Sequence, residues 1–391
     1  MAKRRFELPG IQDLSKDQER ARLLPKAGCH LIVGGPGTGK SVIALLRARR
    51  HHLDQDSKDY VFLVYNRLLH KASRQLMGKT LTSETWNKWF GALYRKMLDD
   101  SIPMTGDGEW KDIAWELVQE NIFAAKDKLP PPAPPYLIID EGQDMPPEFY
   151  NSLANLGFEN FFVVADQNQQ ITEQHSSRQE LENGLDIDTD QVIELTENYR
   201  NSFPVARLAR EFFTGDPASP PPALPLARPS AQQPWLIEFG GGCRLSFENV
   251  IERILKMSDR DPSKLIAVIT HNNVVRERYY KAFFKCTVRL DNGKPRLVTY
   301  SSGDSGDYSF SEGGIFVINA AACKGLEFDT VFLADIHEYH CTPTIQDKIK
   351  KQFYVMVARA IERVLMLKEA GRHCPVEAIL PKDENILGRW R

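Results

Sequence analysis

The sequence predicts an α/β protein of two tandem domains with mainly parallel sheets. Its 391 residues leave room for two packed domains, because a domain commonly has roughly 100 to 200 residues. Short apolar runs alternate with longer amphipathic segments on both sides of a proline-rich stretch at 216–234. Runs that are apolar on both faces and alternate with helices are typical of parallel strands covered on both sides.

The predicted strands are short runs rich in β-branched and aromatic residues. Before the proline-rich stretch they are HLIVG, YVFLVY, YLIID, FFVVAD and QVIEL, and after it WLIEF, LIAVIT, IFVIN, TVFLAD and RVLML. We therefore expect a first domain at 1–215, a linker at 216–234 and a second domain at 235–391. Helical periodicity that gives way to the run KLPPPAPP predicts a small helical insertion in the first domain, at about residues 87–135.

Composition and charge exclude several classes of protein. Hydrophobic residues make up 42% of the chain and charged residues 26%, which argues against global disorder. The net charge of −2 provides no general attraction for polyanions, so a nucleic-acid site has to be a local groove. Six cysteines without a C-x-x-C pair and the lack of a long apolar stretch predict a cytoplasmic protein with no membrane partner.

The strongest motif is a phosphate-binding loop. Residues 34–41 read GGPGTGKS, which fits G-x-x-x-x-G-K-[ST] between a predicted strand and a predicted helix. Backbone amides of such a loop approach phosphate oxygens, and the helix N-terminus adds a favourable dipole. Lys40 is expected to reach the β and γ phosphates of ATP, and Ser41 to bind Mg²⁺. The residues predicted to contact the nucleotide here are Gly35, Pro36, Gly37, Thr38, Gly39, Lys40 and Ser41.

A second motif, DEGQD at 140–144, ends the predicted strand YLIID. A parallel strand delivers such side chains to the carboxyl edge of the sheet, beside the phosphate loop. We expect Asp140 to hold Mg²⁺ and Glu141 to orient and deprotonate the attacking water.

These motifs and six others resemble, in their order, the core of superfamily 1 helicases of the UvrD/Rep type over nearly the whole chain. The other matching segments are LSKDQ (14–18), FLVYNRLL (62–69), VVADQNQQI (163–171), LTENYRN (195–201), KGLEFD (324–329) and YVMVARA (354–360).

The resemblance implies two RecA-like domains that bind ATP and Mg²⁺ and translocate on single-stranded DNA from 3′ to 5′. It implies these further roles: Gln18 at the adenine edge, Gln169 as the γ-phosphate sensor, Tyr199 stacked on the base, Arg200 at the γ-phosphate, Glu327 at the ribose and Arg359 as an arginine finger. Because LTENYRN precedes the predicted linker and YVMVARA follows it, one arginine is expected from each domain.

The sequence departs from the family pattern where a nucleic-acid strand would stack. Thr172 and Gln174 stand at positions that are aromatic in the family. Stacking contributes about 1–3 kcal/mol per base, so its loss matters. Trp86 and Trp89 are candidate replacements, and the alternative is that they pack the helical insertion.

Two functions remain open from the sequence. The first is an ATP-dependent motor on single-stranded nucleic acid, with DNA favoured over RNA. The second is a nucleotide-driven regulatory ATPase that controls a protein partner, such as a nuclease in DNA repair or antiphage defence, without unwinding. The missing aromatics favour the second function, as does the lack of room for a large accessory domain in the roughly 120 residues between Arg200 and KGLEFD.

Overall fold

The computed structural model describes residues 6–54, 59–78, 81–106, 111–125, 135–169, 175–215, 220–228, 231–300 and 308–390. These residues form an α/β fold with one six-stranded and one seven-stranded sheet, which confirms the predicted fold class. Every pairing described in the two large sheets is parallel. Among the described residues, no helix combines the length and apolar character that a membrane span requires.

The chain divides into two compact units. Of the described residues, the first unit comprises 8–34 and 39–195, and the second comprises 196–390 together with 6–7 and 35–38.

The first unit carries the six-stranded sheet in the order β3-β2-β6-β7-β1-β8. Its elements are α1 (Lys16–Leu23), β1 (Cys29–Gly34), α2 (Lys40–Leu53), β2 (Tyr60–Val64), α3 (Arg67–Met77), β3 (Ser83–Thr85), α4 (Trp86–Leu98), β4 (Met104–Thr105), β5 (Asp112–Ile113), α5 (Trp115–Ala125), β6 (Tyr136–Ile139), α6 (Pro147–Asn155), β7 (Phe161–Ala165), α7 (Arg178–Leu185) and β8 (Ile193–Leu195).

Both faces of this sheet are buried. On β1, Leu31 belongs to a core with Phe149 of α6, whereas the next residue, Ile32, belongs to a core with Ile43 of α2. Successive side chains of a strand point to opposite faces, so two helical layers cover the sheet. This explains why the strands were readable as continuous apolar runs.

The predicted insertion corresponds to α4, the short antiparallel hairpin β4–β5 and α5, where the structure describes it. Residues 107–110 and 126–134 lie outside the described residues. Trp86 is buried, with its ring stacked 6.4 Å from that of Trp115 and edge-on to Phe149 at 5.4 Å. Trp89 packs edge-on against Phe158 at 5.8 Å. Both tryptophans therefore serve packing, which was the alternative to a base-stacking role.

The second unit carries the seven-stranded sheet in the order β11-β12-β10-β13-β14-β9-β15. Its elements are α8 (Phe203–Glu211), β9 (Trp235–Phe239), α9 (Phe247–Arg260), β10 (Leu265–Thr270), α10 (Asn273–Lys285), β11 (Leu297–Thr299), β12 (Gly314–Asn319), β13 (Phe328–Leu333), α11 (Gln346–Ala358), β14 (Ala360–Glu369) and β15 (Gly388–Trp390).

The division between the units falls after Leu195, earlier than the boundary expected at 216–234. The reason is that α8 packs with the second unit: Phe212 and Phe353 of α11 have ring centroids 5.3 Å apart. Part of the predicted linker also belongs there, since Ala223 N donates to Thr196 O at 2.6 Å. An amphipathic helix before a proline-rich stretch suits either neighbour, so the sequence did not distinguish them.

Arg47 of α2 is buried within the first unit. Its guanidinium donates to Leu24 O at 2.5 Å, to Pro25 O and to Tyr136 Oη at 3.0 Å. It also lies over the Tyr136 ring, 5.3 Å from the centroid. These contacts close the turn that leads from α1 into β1.

We expect Arg47→Ala to lower the free energy of unfolding by about 3 kcal/mol, because buried carbonyls lose a charged donor. Urea unfolding followed by circular dichroism measures this. Arg49→Ala is the matched control, since Arg49 is exposed on the same helix. Equal stabilities of the two variants would contradict a structural role for Arg47.

Candidate nucleotide site

The phosphate loop connects β1 to α2. Gly37 and Gly39 have φ of 80° and 88°, a left-handed conformation that glycine adopts without strain. A Cβ at Gly39 would lie 2.5 Å from Gln18 Nε2, so the Gln18 amide packs closely on this turn of the loop. Thr38 Oγ1 donates to Gly35 O at 2.8 Å and holds the turn.

Lys40 and Ser41 form the first turn of α2 and point to different partners. Lys40 Nζ donates to Gly34 O at 2.6 Å and lies 3.5 Å from Asp166 Oδ2. Ser41 Oγ donates to Asp140 Oδ1 at 3.1 Å. The structure thus brings together the two residues predicted to hold Mg²⁺.

Asp140 follows β6 and is 1% exposed. Burial, with the adjacent negative charge of Glu141, raises the pKa of Asp140 above its ordinary value. Within the described part of the chain, its Oδ2 has no hydrogen-bond partner. A buried carboxylate oxygen without a donor, beside a serine hydroxyl, fits Mg²⁺, which prefers oxygen ligands and takes few of them from protein. Among the described residues, no group of three or more His, Cys, Asp or Glu side chains is placed to hold a metal ion.

A hydrogen-bonded path connects Glu141 to Gln169. Gln143 Nε2 donates to Glu141 Oε2 at 2.7 Å, and Gln143 Oε1 accepts from Asp166 N at 2.9 Å. Asp166 Oδ2 in turn accepts from Gln169 Nε2 at 2.6 Å. Gln143 and Asp166 were not among the predicted site residues, although both lie within the motifs DEGQD and VVADQNQQI.

Gln18 lies at the third position of α1, next to the phosphate loop. Its Oε1 accepts from Ser15 N at 3.0 Å, and Ser15 Oγ accepts from Gln18 N at 3.3 Å. This reciprocal pair is a capping box that stabilises the start of the helix. Gln18 therefore has a structural role in addition to the predicted contact with adenine, and its amide reaches Gly39.

The remaining predicted residues lie in the second unit. Tyr199 is 52% exposed, as a ring available for stacking should be. Arg200 forms an ion pair with Glu327, which is half-exposed. Arg359 is 2% exposed, and its Nε donates to Val355 O at 3.1 Å. Arg200 and Arg359 belong to the same unit in this division of the chain, whereas the boundary expected at 216 places them in different domains.

Two sequence-based expectations fall outside the described residues. Gln169 is the last residue described before the gap at 170–174, which contains Thr172 and Gln174.

The turn at Glu141 recurs in the second unit. Glu141 after β6 and Asp335 after β13 have φ of 57° and 49°, and a short 3-10 helix follows each. Asp335 accepts from Tyr279 Oη at 2.8 Å and pairs with Arg278. Because Tyr279 and Arg278 of the same unit bind the Asp335 carboxylate, we assign Asp335 a structural role.

The fold and this site define a P-loop nucleotide-binding protein of the α/β class. Residues 18–175 match the AAA domain family AAA_19, a domain found in UvrD/Rep-type helicases. The match extends from Gln18 through the phosphate loop and DEGQD to just beyond VVADQNQQI, and it supports a helicase-like core.

One similar solved structure is the C-terminal domain of a possible DNA helicase from Lactobacillus plantarum WCFS1. It is 15% identical, with a TM-score of 0.34, and the similarity covers 49% of this chain and 98% of that one. A comparison with curated proteins gave no match.

Proposed function

We propose that the chain hydrolyses ATP at the phosphate loop and uses hydrolysis to translocate along single-stranded nucleic acid. DNA is the favoured track, and the direction is 3′ to 5′ by the resemblance to UvrD/Rep-type helicases. The observation that carries the proposal is the buried network of Lys40, Ser41, Asp140, Glu141 and Gln169 with its connecting side chains.

Each side chain has a defined part in this proposal. Lys40 exchanges its bond to Gly34 O for the phosphates and neutralises their charge, while Glu141 accepts the proton of the attacking water. Ser41 and Asp140 hold Mg²⁺, which when bound neutralises charge on the phosphate oxygens. When Lys40 moves, Asp166 loses the cation that lies 3.5 Å from its Oδ2, and Gln169, which donates to the same oxygen, carries that change away from the phosphates.

The test is the steady-state ATPase rate alone, with single-stranded DNA and with single-stranded RNA, using Glu141→Gln as the blank. A coupled motor is expected to respond to its track by about tenfold or more, because coupling free energies between sites commonly give 5- to 150-fold effects. Stimulation by DNA above RNA supports the preferred track. A blocked-end DNA substrate, with streptavidin at either terminus, then tests the direction.

The packing of Trp86 and Trp89 favours a second candidate function, a regulatory ATPase that controls a partner such as a nuclease. Trp86 is buried against Trp115, and Trp89 packs edge-on against Phe158, and this packing argues against a role for either ring at the stacking positions that differ from the family. A hydrolysis rate that neither polymer changes would reject the motor and support this alternative.

We propose the cytoplasm as the location. All six cysteines are free thiols, which suits a reducing compartment.

A further inference from the structure

Two buried asparagines lie in the segment that joins β8 to α8. Asn198 is 8% exposed and Asn201 is 4% exposed. Asn198 Oδ1 accepts from Arg200 N at 3.1 Å and from Asn201 N at 3.0 Å. Asn198 Nδ2 donates to Asn201 Oδ1 at 2.9 Å. The side-chain amide of Asn198 therefore links the main chain of Arg200 to the side-chain amide of Asn201.

Asn201 continues this path to the other arginine. Its Nδ2 donates to Ala358 O at 3.0 Å and to Ala360 O at 2.5 Å, the carbonyls on either side of Arg359. Only the NH₂ end of an amide donates to two carbonyls, so these partners determine the orientation of the side chain. Ser202 N donates to Ile361 O at 2.7 Å and extends the same contact.

The asparagine pair also contacts the phosphate loop. Tyr199 N donates to Gly37 O at 2.9 Å. A Cβ on Gly37 would lie 2.2 Å from Asn198 Oδ1 and 3.0 Å from Asn201 Oδ1. Residues 35–38 pack as part of the second unit, so the path runs within one compact body.

We propose that Asn198 and Asn201 are positioning residues that couple the main chain of Arg200 to that of Arg359. This coupling holds the two arginines as one body, although about 160 residues separate them in sequence, and an arginine misplaced by about 1 Å would stabilise the transition state poorly. This inference rests on the proposed ATP hydrolysis. The inference gives roles to Asn198 and Asn201, which the resemblance to the helicase family did not assign. It also explains why an amide is buried at Asn201, since an apolar side chain there would leave two carbonyls without a donor.

The decisive variant is Asn201→Asp, which keeps the shape but removes both donors. We expect kcat to fall about tenfold or more while the affinity for a fluorescent ATP analogue changes less than about threefold. Combining Asn201→Asp with Arg359→Ala should add little to the loss caused by Arg359→Ala alone, because Asn201 acts through that arginine. Losses that multiply in the double variant would overturn the proposal.

Two further variants complete the design. Asn201→Ser keeps one donor and should give an intermediate rate, which also serves if the aspartate variant does not fold. Asn249→Asp is the matched control: Asn249 is exposed in the same unit, and its Oδ1 accepts from Ser246 N, which a carboxylate also does. We expect this control to hydrolyse ATP at the wild-type rate.

Hydrogen exchange followed by mass spectrometry tests the coupling without reference to hydrolysis. Asn201→Asp should raise exchange together in peptides covering 196–202 and 353–362, and Asn249→Asp should raise it in neither. Unchanged exchange in either segment would overturn the coupling. If the wild-type protein hydrolyses no ATP, the proposed function fails, while this measurement still decides whether the two segments are coupled.

Discussion

Glu141→Gln is expected to bind ATP with nearly wild-type affinity and to lose hydrolysis by about 10²- to 10⁴-fold, the usual contribution of a general base. Gln143 Nε2 donates to Glu141 Oε2, and the glutamine that replaces Glu141 still offers a carbonyl oxygen to that donor. The substitution therefore removes the proton acceptor and keeps the shape of the network.

Single-turnover hydrolysis and equilibrium binding of a fluorescent ATP analogue measure the two quantities separately. Lys40→Ala is the contrasting variant, because losing the cation at the phosphates should weaken binding as well as abolish turnover. Normal turnover by Glu141→Gln would reject the assignment of Glu141 as the base. Loss of binding by Glu141→Gln would instead mean that this carboxylate organises the loop.

The sequence predicted those parts of the site that lie within a single motif directly after a strand. GGPGTGKS and DEGQD each follow an apolar strand, and the carboxyl ends of parallel strands meet at one edge. The contact between Ser41 and Asp140 follows from this rule, although 99 positions separate them in sequence. The position of each motif directly after a parallel strand was therefore enough to predict that Ser41 and Asp140 lie close together.

The parts that the sequence did not predict depend on side-chain partners from separate elements. Asp166 directly follows β7, the neighbour of β6 and β1, and that strand order brings it between Lys40 and Gln169. The pattern of apolar residues predicts that strands exist but leaves their order open, so the role of Asp166 was invisible. Gln143 was equally hidden, because a glutamine one turn after a strand gives no sign of which groups it bonds.

The domain boundary shows the same limit. Proline-rich composition marks where regular structure stops, but it does not show which hydrophobic core the preceding helix packs against. The packing of α8 on α11 is a long-range contact that the sequence does not reveal. Because α8 packs there, the segment with Tyr199 and Arg200 belongs to the second unit. Arg200 and Arg359 therefore belong to the same unit, whereas a boundary at 216 separates them.

Arg359→Ala is expected to slow hydrolysis about 10³-fold, the size of effect that an arginine finger has on phosphoryl transfer. Arg359 follows α11, and the carbonyls beside it are held by Asn201. Arg359→Lys keeps the charge but loses the planar fork, so we expect it to restore only part of the rate.

Single-turnover rates at saturating ATP are the measurement, with thermal unfolding as a check because Arg359 is buried. Arg289→Ala, which removes an exposed arginine of the same unit, is the matched control and should leave the basal rate unchanged. A wild-type rate in Arg359→Ala would make this arginine a packing residue of the second unit. A slow rate with intact folding and intact nucleotide binding would locate the loss in the transition state, where charge on the transferring phosphoryl group needs a cation.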